Sequence, residues 1–380
     1  MADLSLLTWM LVLAALVVGI LAGHFGWGKR WPASLSKLHP DYLTGLDYLV
    51  TEQPDRALDM FLKLMDANAD TIETHFALGS LYRRRGEVER AIRIHQNLLA
   101  REELPSEHRE QALLALARDY LRAGVLDRAE TLFQQVSEAP RLRASALDAL
   151  RGVYEQQHDW QQALGVYRQL LQINAAPAAT VAAHYLCELA SAALERAELD
   201  AAKKLLDEAN QMARPFPRAD VLRAQIAEHE GDAQQAVRLL RASMTDSPTL
   251  LQEQLPQLLR LTAGSGQDEL LQGLVAQAES RDLNELKRLV FAAISAGLAQ
   301  APALQGSIEK VFSQDPTLQA MWQAQSGRHE RTAEEIGALL AQAEKYRCNE
   351  CGFSGRSFYW HCPACHSWDS FEAYAIVKLR

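Results

Sequence analysis

The chain has 380 residues, 48% hydrophobic and 23% charged, with a formal net charge of −9. That balance excludes a disordered chain and a polytopic membrane protein. It also lacks the basic excess that neutralising phosphates requires, so no nucleic-acid partner is expected. Ala, Leu, Gln, Glu and Arg are abundant while aromatic and β-branched residues are sparse, which predicts a mainly helical, all-α fold.

From Leu4 to Gly28 no residue carries a formal charge, and about 20 apolar residues suffice to cross a bilayer as a helix. Residues 1–28 are therefore expected to form a transmembrane helix, and residues 29–37 a juxtamembrane linker. A cleaved secretory signal is the competing reading, but it needs basic residues before its apolar run, and only Asp3 stands there. Lys29, Arg30 and Lys37 follow the run, with Trp9, Trp27 and Trp31 as interfacial anchors. The positive-inside rule then places the bulk of the chain on the cytoplasmic side of a single-pass protein. The opposite, periplasmic orientation would be needed for a general assembly scaffold.

Residues 38–249 repeat with a period near 34. "RALDMF", "RAIRIH", "RAETLF", "QALGVY", "AAKKLL" and "QAVRLL" recur in register on Ala57, Ala91, Ala129, Ala163, Ala202 and Ala236. Twelve residues before each alanine stands Gly45, Gly79, Ala117, Arg151, Ala190 or Ala224. Three residues further on comes Tyr48, Tyr82, Tyr120, Tyr154, Ala193 or Ala227. This resembles the tetratricopeptide repeat, which implies six helical hairpins stacked as a solenoid. Small residues let paired helices approach, Phe61, Phe133 or Tyr167 fills the gap beside them, and Gly86, Gly124 and Gly231 end helices in left-handed turns. Arg151 is the poorest fit to a small position.

The resemblance further implies a groove for a peptide or protein surface, with Phe76, Arg83, Arg84, Arg118 and Arg122 among its positions. An aromatic among arginines suits an acidic, partly apolar segment. The run Arg83–Arg85 reads equally as a solvated helix end. Residues 250–345 lose the beat but keep amphipathic segments, and are expected to add two or three degenerate helical hairpins.

Residues 346–380 hold four of the five cysteines as two Cys-x-x-Cys pairs, Cys348 with Cys351 and Cys362 with Cys365. Two such knuckles can bring four thiolates onto one tetrahedral ion, iron or zinc. Disulfides are the alternative, which a reducing compartment disfavours. His361 and His366 flank the second pair and are expected to be bystanders, while Cys187 reads as a packed side chain. So short a segment needs its ion to fold. No His-Glu-x-x-His, phosphate-cradling glycine loop or nucleophile elbow occurs, so no catalytic residue is expected.

The apolar start, the repeats, and Tyr346-Arg347-Cys348, Cys351-Gly352-Phe353 and Tyr359-Trp360-His361-Cys362-Pro363 before Cys365 and Trp368 together resemble the lipopolysaccharide assembly protein B family. The resemblance implies a non-enzymatic inner-membrane adaptor that regulates lipopolysaccharide synthesis. It would present the deacetylase committing the cell to lipid A synthesis to the membrane-anchored AAA+ metalloprotease FtsH, alongside other lipopolysaccharide assembly proteins. It also implies a rubredoxin-like terminal domain. A rubredoxin-like redox protein is the alternative function, but His366 stands where rubredoxins carry glycine, and the spacer between pairs is far shorter.

Overall fold

A computed structural model describes residues 40–51, 53–66, 72–263, 266–298, 301–314 and 344–378. The expected span and linker, residues 1–37, lie outside them, as do residues 315–343. Among the described residues no helix is long and apolar enough to cross a membrane. The chain divides into two compact units, residues 1–153 and 154–380.

The first unit contains α1 (Pro40–Val50), α2 (Pro54–Asp66), α3 (Ile72–Arg84), α4 (Val88–Leu99), α5 (Ser106–Arg122), α6 (Leu126–Ser137) and most of α7 (Arg143–Gln156). The hairpins α1–α2, α3–α4 and α5–α6 are the repeating module. Ala57, Ala91 and Ala129 are fully buried, as are Phe61 and Phe133. The closeness of the packing is visible at Gly79, where a side-chain carbon would collide with the imidazole of His95 on the paired helix.

The arginine that precedes the alanine in each of the first three repeats also has a visible role. Arg56, Arg90 and Arg128 lie over Tyr48, Tyr82 and Tyr120 at 6.0, 5.5 and 5.4 Å from the ring centroids. In each case the second helix caps an aromatic of the first with a cation, a contact worth about 0.5–1 kcal/mol at exposed sites.

The second unit continues with α8 (Trp160–Gln172), α9 (Ala179–Glu195), α10 (Leu199–Met212), α11 (Pro217–His229), α12 (Ala233–Asp246), α13 (Leu251–Leu261), α14 (Gln267–Arg281), α15 (Leu283–Ser295) and α16 (Gln305–Ser313). Ala163, Ala202 and Ala236 are again fully buried. The same turn closes successive repeats, with the amide of residue 87, 125, 159, 198 or 232 donating to the carbonyl five residues earlier. Gly86, Gly124 and Gly231 take positive φ there, and so do His158 (57°) and Ala197 (59°) where the fourth and fifth repeats lack the glycine. Arg151 is accommodated by turning to Asp148 one helical turn back, at 2.9 Å. Helices α13 to α16 share one core with α11 and α12, including Leu255, Leu289, Val290 and Phe312.

An all-α fold does not hold at the C-terminus. β1 (Glu344–Cys348), β2 (Ser354–Gly355) and β3 (Phe371–Lys378) form an antiparallel sheet in the order β2-β1-β3. Tyr346 pairs with Gly355 on one side and Ala373 on the other, and Cys348 pairs with Phe371. "FEAYAIVK" carries the β-branched and aromatic residues scarce elsewhere. Its first residues alternate in burial, with Phe371 and Ala373 in and Glu372 out. The degenerate helical hairpins expected over residues 250–345 do not reach that boundary, because the chain is already strand at Glu344. The C-terminal segment is thus a small sheet with Cys348 at the end of β1 and Cys351, Cys362 and Cys365 in the turns beside it.

Candidate metal centre and its seat on the repeats

Each Cys-x-x-Cys pair sits in a backbone knuckle of the same construction. In the first, the Cys348 amide donates to the Phe353 carbonyl and the Gly352 amide to the Cys348 carbonyl. In the second, the Cys362 amide donates to the Ser367 carbonyl and the His366 amide to the Cys362 carbonyl. Gly352 and His366 occupy the same left-handed position, at φ 77° and 60°. The histidine standing where rubredoxins have glycine therefore adopts the glycine conformation.

The knuckles face one another. Cys348 Sγ lies 3.6 Å from Cys365 Sγ, Cys351 Sγ lies 3.7 Å from Cys362 Sγ, and all four sulfurs fall within 4.8 Å of one another. Four thiolates about 2.3 Å from a tetrahedral ion would stand roughly 3.8 Å apart, so the residues fit. A disulfide needs about 2.05 Å, and none of the cysteines is bonded to another. Burial on its own would raise the Cys348 thiol, but the Ser370 hydroxyl and the amides of Cys351 and Glu350 overcome this and bring it down to about 6. A thiol so disposed gives up its proton to a metal readily. Cys187 stands apart on α9, fully buried, and burial pushes its thiol up to about 12. It is an inert packed side chain.

The residues around the second knuckle seat the sheet on the repeats. Trp368 stacks on His184 of α9 and on His361, with centroids 4.5 and 4.3 Å apart, and meets Trp160 of α8 edge-on at 5.8 Å. Its indole nitrogen donates to Glu155 at 3.0 Å, and the same carboxylate oxygen accepts from the Tyr185 hydroxyl at 2.6 Å. Asp369 lies 2.8 Å from His184 Nε2, Arg218 of α11 lies 3.2 Å from His184 Nδ1, and Arg218 donates to Glu188 at 2.6 Å. The Arg218 guanidinium also lies over Trp360 and Trp368. Phe358 and Trp360 pack on the core of α11 to α16, and the Phe358 amide donates to Glu253 of α13.

His361 is thus no ligand substitute but part of this aromatic stack. Nothing in the repeat pattern singles out Glu155, His184 or Arg218. The available signal was the unusual density of polar and aromatic residues on helices that otherwise need only small ones.

The expected groove residues lie in the first unit and divide. Phe76 and Arg84 line an open cleft of about 420 Å³ with Tyr42, Leu46 and Gln111. Arg83 turns inward instead, pairing at 2.7 Å with the fully buried Asp119, which also holds His95. Arg118 and Arg122 are exposed on α5, where Arg118 donates to Ser145.

Residues 346–373 match the family described as the rubredoxin metal binding domain, and residues 74–109 and 146–178 match the tetratricopeptide repeat. Over 371 residues the chain is 29% identical to lipopolysaccharide assembly protein B of Escherichia coli, covering 93% of this chain and 95% of that protein. Its counterpart in Haemophilus influenzae is 28% identical over 93% and 96%. Among solved structures, the C-terminal part of a TPR repeat-containing protein from Cytophaga hutchinsonii covers 73% of this chain and 96% of its own, at 11% identity and a TM-score of 0.41.

Proposed function

Taking the chain as a homologue of lipopolysaccharide assembly protein B, we propose that it is a non-enzymatic adaptor of the inner membrane that limits lipopolysaccharide synthesis. In this reading residues 1–28 tether it as a single span, with the bulk of the chain in the cytoplasm. The repeats hold the lipid A-committing deacetylase, and the tether brings that client to the membrane protease FtsH and to other lipopolysaccharide assembly proteins. Tethering raises the effective concentration of a bound client beside membrane partners without any new contact. The observation that carries the reading is similarity running the length of the chain, through both the repeats and the knuckles.

Cys348, Cys351, Cys362 and Cys365 would hold one ion, iron or zinc, as both accept four thiolates in a tetrahedron. When bound, that ion cross-links two knuckles of a domain too small to hold itself together. The role of the surrounding residues is then mechanical. Trp368, Asp369 and Trp360 fix the cross-linked domain to α8, α9 and α11.

The test is a pulse-chase of the deacetylase in cells lacking their own copy of the adaptor. Restoring the full chain should shorten the half-life of the deacetylase, and only while FtsH is active. A half-life that does not respond to the chain would overturn the proposal. A version lacking residues 1–28 should fold yet fail to shorten it.

A further inference from the structure

The four sulfurs are not equivalent. All four receive backbone amides: Cys348 from Glu350 and Cys351, Cys351 from Phe353, Cys362 from Ala364 and Cys365, and Cys365 from Ser367. Two have a hydroxyl in addition. Ser370 Oγ lies 3.3 Å from Cys348 Sγ, and Ser367 Oγ lies 3.4 Å from Cys365 Sγ. Exposure divides them further, since Cys348 and Cys362 are buried, Cys365 is half-buried and Cys351 faces solvent.

The single proton of the Ser370 hydroxyl has two possible acceptors, Cys348 Sγ and the Ser367 carbonyl at 3.2 Å. A neutral thiol could donate to the serine and leave that proton on the carbonyl. A thiolate holding a cation has no proton to give, and a charged acceptor draws the stronger hydrogen bond.

We propose that Ser370 and Ser367 are positioning residues of the thiolate centre, donating their hydroxyl protons to Cys348 and Cys365. Cys351, the exposed sulfur, is then left as the most electron-rich corner, the first that a proton or an electrophile attacks, and so the one through which the ion exchanges. The inference rests on the reading of the four cysteines as one metal centre. Withdrawing electron density from two sulfurs weakens them as donors while holding them in place, and outer-shell partners of this kind tune both affinity and orientation.

Cobalt(II) is the probe, loaded into the full-length chain in detergent. Wild-type protein should show tetrahedral d–d bands and sulfur-to-cobalt charge transfer. If those bands are absent, the reading of a four-thiolate centre fails. If they are present, Ser370→Ala should move the charge transfer to longer wavelength with the d–d bands unchanged, and Ser370→Thr should restore it. Ser367→Ala should add a further shift of the same sign. A charge-transfer band that stays put in both alanine variants means the hydroxyls serve only the turn, and the proposal is wrong. In the cobalt-loaded wild type, iodoacetamide should label Cys351 first. First labelling at Cys348 or Cys365 would equally overturn it.

Discussion

The indole of Trp368 lies flat against the imidazole of His184, 4.5 Å between centroids and 17° between planes, although 184 positions separate them in the chain. This pair joins the cysteine-bearing sheet to the fifth repeat, and the first two predictions concern it.

Replacing Trp368 by Ala removes this stack, the contact with Trp160 and the bond to Glu155. A loss of about 3 kcal/mol is expected, at the low end for Trp→Ala because the side chain is only half-buried. Hydrogen exchange should then show faster exchange in residues 344–378 and at the N-terminal half of α9. The unit-1 helices should not change.

Docking should weaken as pH falls. Burial holds His184 below its ordinary value of 6.5, and the Arg218 charge adds to this, while Asp369 and Glu188 oppose it. The folded state therefore takes up a proton later than the unfolded one. The contribution of His184 is complete above about pH 6.5 and is lost as pH drops toward the depressed folded value. Limited proteolysis between pH 7.5 and 5.5 should reveal release of the sheet, and His184→Gln should flatten that dependence.

Removing the ion or one of its ligands should act on the sheet and spare the first unit. Metal analysis of purified protein should find one iron or zinc per chain, and Cys362→Ser should abolish it. Residues 344–378 should then lose their protected amides, because the cluster around Tyr346, Cys348, Cys362 and Phe371 is too small to persist alone.

Gly79→Ala tests the helix contact at the heart of each repeat. The added carbon would strike the ring of His95, which is fully buried and held by Asp119. A cost of about 1–3 kcal/mol is expected from overpacking. Gly152→Ala in α7 meets nothing within 4 Å, and should stabilise by about 0.5–1 kcal/mol through helix propensity. Urea titration of the two variants should move their midpoints in opposite directions.

Local regularities carried well from sequence to structure, and distant pairings did not. The repeat alanines and turn glycines announce themselves because each repeat solves the same packing problem with the same residues. Six buried alanines and three positive-φ glycines follow from that periodicity. The four clustered thiols were equally visible from their spacing. The role of Arg83 was not, because its partner Asp119 is one repeat away and nothing in the period marks a buried carboxylate. Strand β3 escaped because one eight-residue strand segment is a weak signal beside 200 residues of helical period. The pairings of Glu155 with Trp368 and Glu253 with Phe358 span 213 and 105 residues, and no local rule reaches so far.

The second knuckle is bracketed by its moorings, with Trp360 and His361 on one side of the cysteine pair and Trp368 and Asp369 on the other. A pull on either flank is a pull on Cys362 and Cys365. A cation held by the four thiolates would therefore work like the pin of a latch: with it in, four anchor points move as one, and with it drawn each must grip α8, α9 or α11 by itself. Cells short of metal, or flooded with thiol-reactive compounds, would loosen the tail of this protein without touching its repeats.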